Sequence, residues 1–307
     1  MKKPFLRFED GKITLGNKDI LAQSANLSVS PSLEVERVYG NVNTSTLGPT
    51  IEKLSRGFSP KSGLKGTLSV SFVINAEFFA KDSTVNNIDS LFHISSGMGE
   101  GPINGNRVGR YLFDNMYLKS FGFSMAPFQI IKATASYDIY GSIRKSASYR
   151  FQKSYIDPAH SLKSFGEVKA SGASMSTHNG SLFEVSSLDY NIMVDRKMHN
   201  HIRASEHTSI NTSANGVVPV RVSTETIEAQ MTIEGNEIIK NLNALGDAQS
   251  GGVTDGLSDS SVTAYLYSLS GKRIASFSCT GKVMSQSLSL GEGQYSKGSI
   301  TIKQIIK

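Results

Sequence analysis

The chain has 307 residues, 38% hydrophobic and 19% charged, with a formal net charge of +6, one cysteine and no tryptophan. This balance excludes a disordered chain, and no apolar run is long enough to cross a membrane as a helix. A single cysteine excludes an internal disulfide, and the length suits two domains of about 150 residues.

The opening stretch from Met1 to Asp10 carries basic residues with no apolar run behind them, so a secretory signal is not expected and folding in a cytosol is. Residues 12 to 39 hold two candidate strands, the second from Leu21 to Val29, closed by the turn residues Ser30-Pro31-Ser32. Arg37 to Gly66 then reads as a long connection rich in glycine and proline. Its basic charges (Lys53, Arg56, Lys61, Lys65) and few apolar residues (Ile51, Leu54, Phe58) suit an anchor on a neighbouring subunit. Leu68 to Ile74 alternates, with Leu68, Val70, Phe72 and Ile74 on one side and Ser69 and Ser71 on the other, the period of a half-buried strand. Ser83 to Phe92 places Val85, Ile88, Leu91 and Phe92 at helical spacing behind a Ser/Thr cap. Gly97 to Gly105 is glycine-rich. It lacks the strand, helix and lysine of a phosphate loop, and Pro102 interrupts it, so it reads as a plain loop.

Much of this recurs. Ser24 to Ser30 has a counterpart in Ser187 to Met193, and the Leu68 to Ile74 strand in Ile227 to Ile233. A second helix is expected from Asn236, carrying Ile238, Ile239, Leu242 and Leu245 and stopped by Gly246. Leu118 to Met125 matches Val283 to Leu290, and Lys132 to Tyr140 matches Lys297 to Ile305. Four anchors in one order point to a duplicated unit: residues 1–141 as one β domain, 142–180 as a linker or arm, and 181–307 as a second β domain. The long polar stretch Arg196 to Thr224 and the Gly/Ser/Asp-rich Gly246 to Ser261 repeat the two loops of the first half.

In the linker, Arg144, Lys145, Arg150 and Lys153 alternate with Tyr149, Phe151 and Tyr155. A nucleic-acid surface and an arm that pairs with a neighbour's sheet both fit; no nucleic-acid motif accompanies the stretch, which favours the arm. Ala170 to Ser176 reads as a flexible connector, and Ser261 to Tyr267 with Lys272 to Cys279 as a hairpin around Leu269-Ser270-Gly271. The last two strands are expected over Lys282 to Leu290 and Gly298 to Ile306.

The search for chemistry returns little. There is no nucleophile elbow, metalloprotease helix, phosphate-binding loop or paired-cysteine site, and the carboxylates form no evident catalytic pair. His199 and His201 with Glu206 and His207 are the densest ligand group, set against the commoner case of solvated histidines in a polar loop. His93 suits the C-terminal carbonyls of the expected first helix, and Cys279 reads as a small apolar filler. No catalytic, cofactor-binding or metal residue is assigned, no cofactor is expected, and the chain is not read as an enzyme.

Two fused β-rich units with short helices, long polar loops and no catalytic signature resemble the tail tube (major tail protein) family of tailed bacteriophages, in a duplicated form. The resemblance rests on Ile20 to Gly40, Leu68 to Ile94 and Phe121 to Gly141 with their second-half counterparts, patterns of residue type spread over most of the chain. It implies a mainly β fold of two tandem tail-tube-like sandwich or barrel domains, each with one short helix. It also implies a virion protein, made in the host cytoplasm, that assembles with itself into stacked rings. Three chains carrying two units each would give pseudo-sixfold symmetry, with a hexamer of chains as the other arrangement. Other tail proteins would be partners, DNA a non-specific cargo in the lumen during injection, and membrane not a partner. Two other classes stay open, a baseplate, collar or receptor-binding virion protein and a glycan-active enzyme.

Overall fold

The alternation that marks strands in the sequence also fixes which face of each strand is buried. Leu68, Val70 and Phe72 are fully buried, while Ser69 is exposed and Thr67 and Ser71 are half-buried. The computed structural model describes residues 13–16, 18–20, 22–30, 33–40, 53–60, 65–73, 102–127, 129, 131–140, 143–146, 165–172, 180–182, 185–199, 221–236, 238, 259–267, 273–291 and 296–306.

The first part of the chain supplies β1 (Ile13–Leu15), β2 (Lys18–Ile20), β3 (Ala22–Ser30), β4 (Leu33–Gly40), β5 (Lys53–Pro60), β6 (Lys65–Val73), β7 (Asn106–Val108), β8 (Tyr111–Phe113), β9 (Met116–Met125), β10 (Lys132–Tyr140) and β11 (Ile143–Lys145). The second supplies β12 (Phe165–Gly172), β13 (Gly180–Leu182), β14 (Val185–His199), β15 (Arg221–Gly235), β16 (Asp259–Tyr267), β17 (Arg273–Ser289) and β18 (Lys297–Ile305). The fold is mainly β. One sheet has eleven strands in the order β3-β6-β10-β9-β14-β15-β18-β17-β16-β12-β13, a second has five in the order β11-β8-β7-β1-β2, and β4 pairs with β5 alone.

Within the large sheet the order β3-β6-β10-β9 is followed by β14-β15-β18-β17, the same arrangement drawn from successive parts of the chain. The registers agree to the residue. In β3, Ala22 faces Phe72 and Ser24 faces Ser71, so Gln23 is an extra, bulged residue. In β14, Val185 faces Gly235 and Ser187 faces Glu234, so Ser186 is bulged, and every number has advanced by 163 from Ala22 and Phe72. On the other side of each unit, Ser136 faces Ser120 and Tyr137 faces Leu118, skipping Lys119. Thr301 faces Ser285 and Ile302 faces Val283, skipping Met284, an advance of 165 from Leu118 and Tyr137. Bulges are placed features of a sheet, and two of them recurring at equivalent positions make the likeness of the two strand sets far more specific than alternation does. The register corrects one sequence alignment. Leu68 corresponds to Met231 and Val70 to Ile233, four residues on from the match with Ile227.

β17 ties the sheet back onto itself. Its residues Arg273–Lys282 pair with β16, and Lys282–Ser289 pair with β18, so the partner changes next to Gly281. Beyond that change the Phe277 ring lies 4.7 Å from Phe123, 5.8 Å from Phe121 and 5.3 Å from Tyr190, centroid to centroid. Those rings stand on strands three and four places away in the sheet. The sheet therefore folds over its own apolar face. Ile13, Leu15 and Phe113 of the five-stranded sheet join the same buried cluster.

Several expectations change. Lys272 to Cys279 and Lys282 to Leu290 are one continuous strand, β17, because Gly281 lets the backbone pass close to β18 without ending the ladder. The linker is not a free connector throughout: Ile143–Lys145 pairs with β8, and Phe165–Gly172, which covers the start of the Ala170 to Ser176 run, pairs with both β16 and β13. Small polar residues suggested flexibility, but their backbones complete a sheet. Within the connection from Arg37 to Gly66, Arg37–Gly40 and Lys53–Pro60 pair as part of the β4–β5 ribbon, and residues 41–52 and 61–64 lie outside the described residues. The expectation of one short helix per unit finds no support. Ser83 to Phe92 lies outside the described residues, as does Ile239 to Gly246, and Ile238 is a buried residue with 3₁₀ backbone geometry.

Cys279 is fully buried, with its thiol 3.5 Å from the Ile302 carbonyl and 3.6 Å from that of Ala229. Burial pushes the thiol up to about 11, partly offset by backbone hydrogen bonds from Gln304 and Met231. A folded-state value above the unfolded one means that this contribution to stability is complete below the unfolded value of 9.0 and is lost as pH rises through about 11. Denaturant midpoints should therefore fall between those two pH values, and the fall should be shallower in Cys279→Ala; equal slopes in the two proteins would contradict the assignment.

Candidate assembly interface

The candidate site is a joint between strands. β9 closes the first set of four strands and β14 opens the second, and the two pair directly: Met125 faces Leu188, Ser124 Asp189, Phe123 Tyr190, Gly122 Asn191, Phe121 Ile192 and Ser120 Met193. Phe121, Phe123, Leu188, Tyr190 and Ile192 point inward and are buried; Ser124, Asp189, Asn191 and Met193 point outward. The Phe123 and Tyr190 rings pack tilted at 5.4 Å, a contact worth about 1 kcal/mol beyond its buried area. A Cβ at Gly122 would lie 2.9 Å from the Tyr190 carbonyl, so glycine is what lets the two backbones come this close.

One end of the joint is pinned by Arg196. Its Nη1 donates to the Leu118 carbonyl, and its guanidinium sits 5.4 Å over the Tyr117 ring. Tyr117 packs on Tyr140 at 5.7 Å, and the Tyr140 hydroxyl donates to the buried Asp138 carboxylate at 3.2 Å. Burial raises Tyr140 well above the usual tyrosine value, and the neighbouring Asp138 raises it further by Coulomb repulsion and by that hydrogen bond.

Among the described residues, two stretches equivalent to this joint have a strand on one side only. β3 pairs with β6 only, and the Val283–Ser289 part of β17 pairs with β18 only. Some of their apolar residues are exposed where the counterparts inside the joint are covered. Val29 is 41% exposed and its counterpart Ile192 1%, while Leu288 is 42% exposed and its counterpart Phe123 4%. Leu290, 70% exposed, corresponds to the partly buried Met125, and Ile305, also 70% exposed, to the buried Tyr140. Unpaired edges carrying apolar side chains are sites for strand addition.

The outward face of the eight strands from β3 to β17 is dominated by hydroxyl and amide groups. Ser28 and Thr67 hydrogen-bond at 2.7 Å, Thr232 and Thr301 at 3.0 Å, and Ser24, Asn26, Ser71 and Ser120 line a shallow trough. Charges of both signs are interspersed, with Lys303 on Glu228 at 2.8 Å. Partial burial, and then the charge of Glu234, raise the Asp189 carboxyl.

The candidate ligand group is not assembled among the described residues. His199 ends β14, with Nε2 2.9 Å from the Ser223 hydroxyl, while His201, Glu206 and His207 lie outside the described residues, as do His93 and Arg150 to Tyr155. Among the described residues no group of three or more His, Cys, Asp or Glu could hold a metal ion, and no helix is long and apolar enough to cross a membrane. Of the basic linker residues, Arg144 and Lys145 stand on an edge strand, with Arg144 3.5 Å from Asp114. Sequence reasoning missed Arg196, Gly122 and Gly281; the only signal was a glycine inside two apolar alternations.

No family model matches the chain, and neither does any curated protein.

Proposed function

We propose that this chain is a self-assembling structural subunit of a phage tail tube, built from two tandem tail-tube-like β units, whose stacked rings conduct DNA during injection. One observation carries the reading: two strand sets of matching order, register and bulge position are joined edge to edge, and among the described residues no strand pairs with either complementary outer edge. A unit that pairs with a copy of itself within one chain has the geometry to continue the series between chains. Three chains would supply six units, consistent with a closed ring. The outward face of the eight strands suits a channel lining. Hydroxyls and mixed charges offer a polyanion no dense positive surface to adhere to, and the +6 charge is not gathered there among the described residues.

Negative-stain microscopy of the purified protein tests this. Hollow polymers or annular particles are the expected result. Discrete particles with knobs would favour the baseplate, collar or receptor-binding reading, and turnover of a glycan would favour an enzyme.

A further inference from the structure

From the internal joint we infer the residue-level contact between neighbouring copies: the Ser285–Leu290 edge of one chain pairs antiparallel with the Ala25–Ser30 edge of the next. This deepens the self-assembly reading above and rests on it.

The register follows from the two advances already described. Carrying Leu188–Met193 back by 163 gives Ala25–Ser30, and carrying Ser120–Met125 forward by 165 gives Ser285–Leu290. The internal pairs then become Leu290 with Ala25, Ser289 with Asn26, Leu288 with Leu27, Ser287 with Ser28, Gln286 with Val29 and Ser285 with Ser30. Five of these six pairs set apolar against apolar or polar against polar, and Gln286 with Val29 is the exception. Leu290, Leu288, Ala25, Leu27 and Val29 fall on the inward face together with Gln286, the counterpart of Phe121, and Ser289, Ser287, Asn26 and Ser28 on the outward face. A one-residue slip would turn the whole apolar set to the wrong side. The occupant must also be a strand that continues the same two faces. A second copy supplies one at each end, and heterologous pairing of this kind closes into a ring or runs on as a filament.

The joint between chains differs from the internal one in a way that fits reversible assembly. Tyr117, Asp138 and Tyr140, which gather around Arg196 inside the chain, correspond to Lys282, Lys303 and Ile305, and Phe123 corresponds to Leu288. The same backbone ladder is thus offered with fewer rings, and with Lys303 already engaged by Glu228.

Cysteine cross-linking tests the register. Opposed residues of an antiparallel pair have Cα separations of about 4.5–5.5 Å, within disulfide range, and Cys279 is buried and does not compete. Asn26→Cys with Ser289→Cys in one chain should give intermolecular disulfides under mild oxidation, while Asn26→Cys with Ser287→Cys, a two-residue slip on the same face, should not. Ser124→Cys with Asp189→Cys, the internal equivalent, should close within one chain. A second variant, Leu288→Lys with Leu290→Lys, alters exposed side chains only and should abolish the assembled species in light scattering. The inference is overturned if hollow particles form but only the slipped pair or neither pair links, or if the double lysine variant assembles like the parent. Cross-links in register without hollow particles would uphold the edge contact and refute the tube.

Discussion

Replacing Phe277 with alanine should lower the unfolding free energy by about 3–5 kcal/mol, the range for a fully buried phenylalanine. The ring is buried in the middle of an aromatic cluster that no single strand set owns: it comes from β17 and packs on Phe121, Phe123 and Tyr190, and Phe121 in turn stacks on Phe72 at 6.4 Å. Because Phe121 and Phe123 belong to the first strand set, the loss should be felt across both. Chemical denaturation followed by circular dichroism should show one transition moved to lower denaturant with an unchanged slope. A split into two transitions, the earlier confined to the second half, would contradict a shared core.

Gly281→Val should be more damaging still, on the order of 4 kcal/mol or more, because the cause is backbone collision and not lost packing. A Cβ at this position would run into the Lys303 carbonyl and also lie 2.9 Å from the Gln304 Cα. Nothing flexible stands there to yield. Since β17 changes its partner strand beside this residue, separating it from β18 would disturb both the ladder and the fold of the sheet over its own face. Gly281→Ala should already lower the melting temperature markedly, and the valine variant should yield little folded protein. Near-parental melting in both would mean that β17 and β18 are not in close apposition at this point.

What the sequence reveals is unevenly spread. Period-2 runs such as Leu68 to Phe72 and Ser187 to Met193 declare their strands and inward faces, since side-chain direction follows from residue parity alone. Three of the four sequence matches between the halves agree with the register of the sheet. The fourth slipped by four residues, an even number that preserves alternation and so leaves no trace in a pattern of apolar and polar residues. The bulges at Gln23, Lys119, Ser186 and Met284 have no residue signature. The strands expected over Lys272 to Cys279 and Lys282 to Leu290 are one, and Gly281 between them is a point of close passage. Ala170–Gly172, small residues that read as a connector, are paired as a strand with β16. The open edges were invisible for a different reason: Leu288, Leu290 and Val29 look like ordinary core residues, and only their exposure beside the covered Phe123, Met125 and Ile192 sets them apart.

Amide hydrogen exchange on the assembled protein tests the repeated joint most directly. Peptides covering residues 25–30 and 285–290 should become as slow to exchange as those covering 120–125 and 188–193, and should quicken again when the particles are dissociated. Fast exchange at both edges in every assembled state would contradict the account.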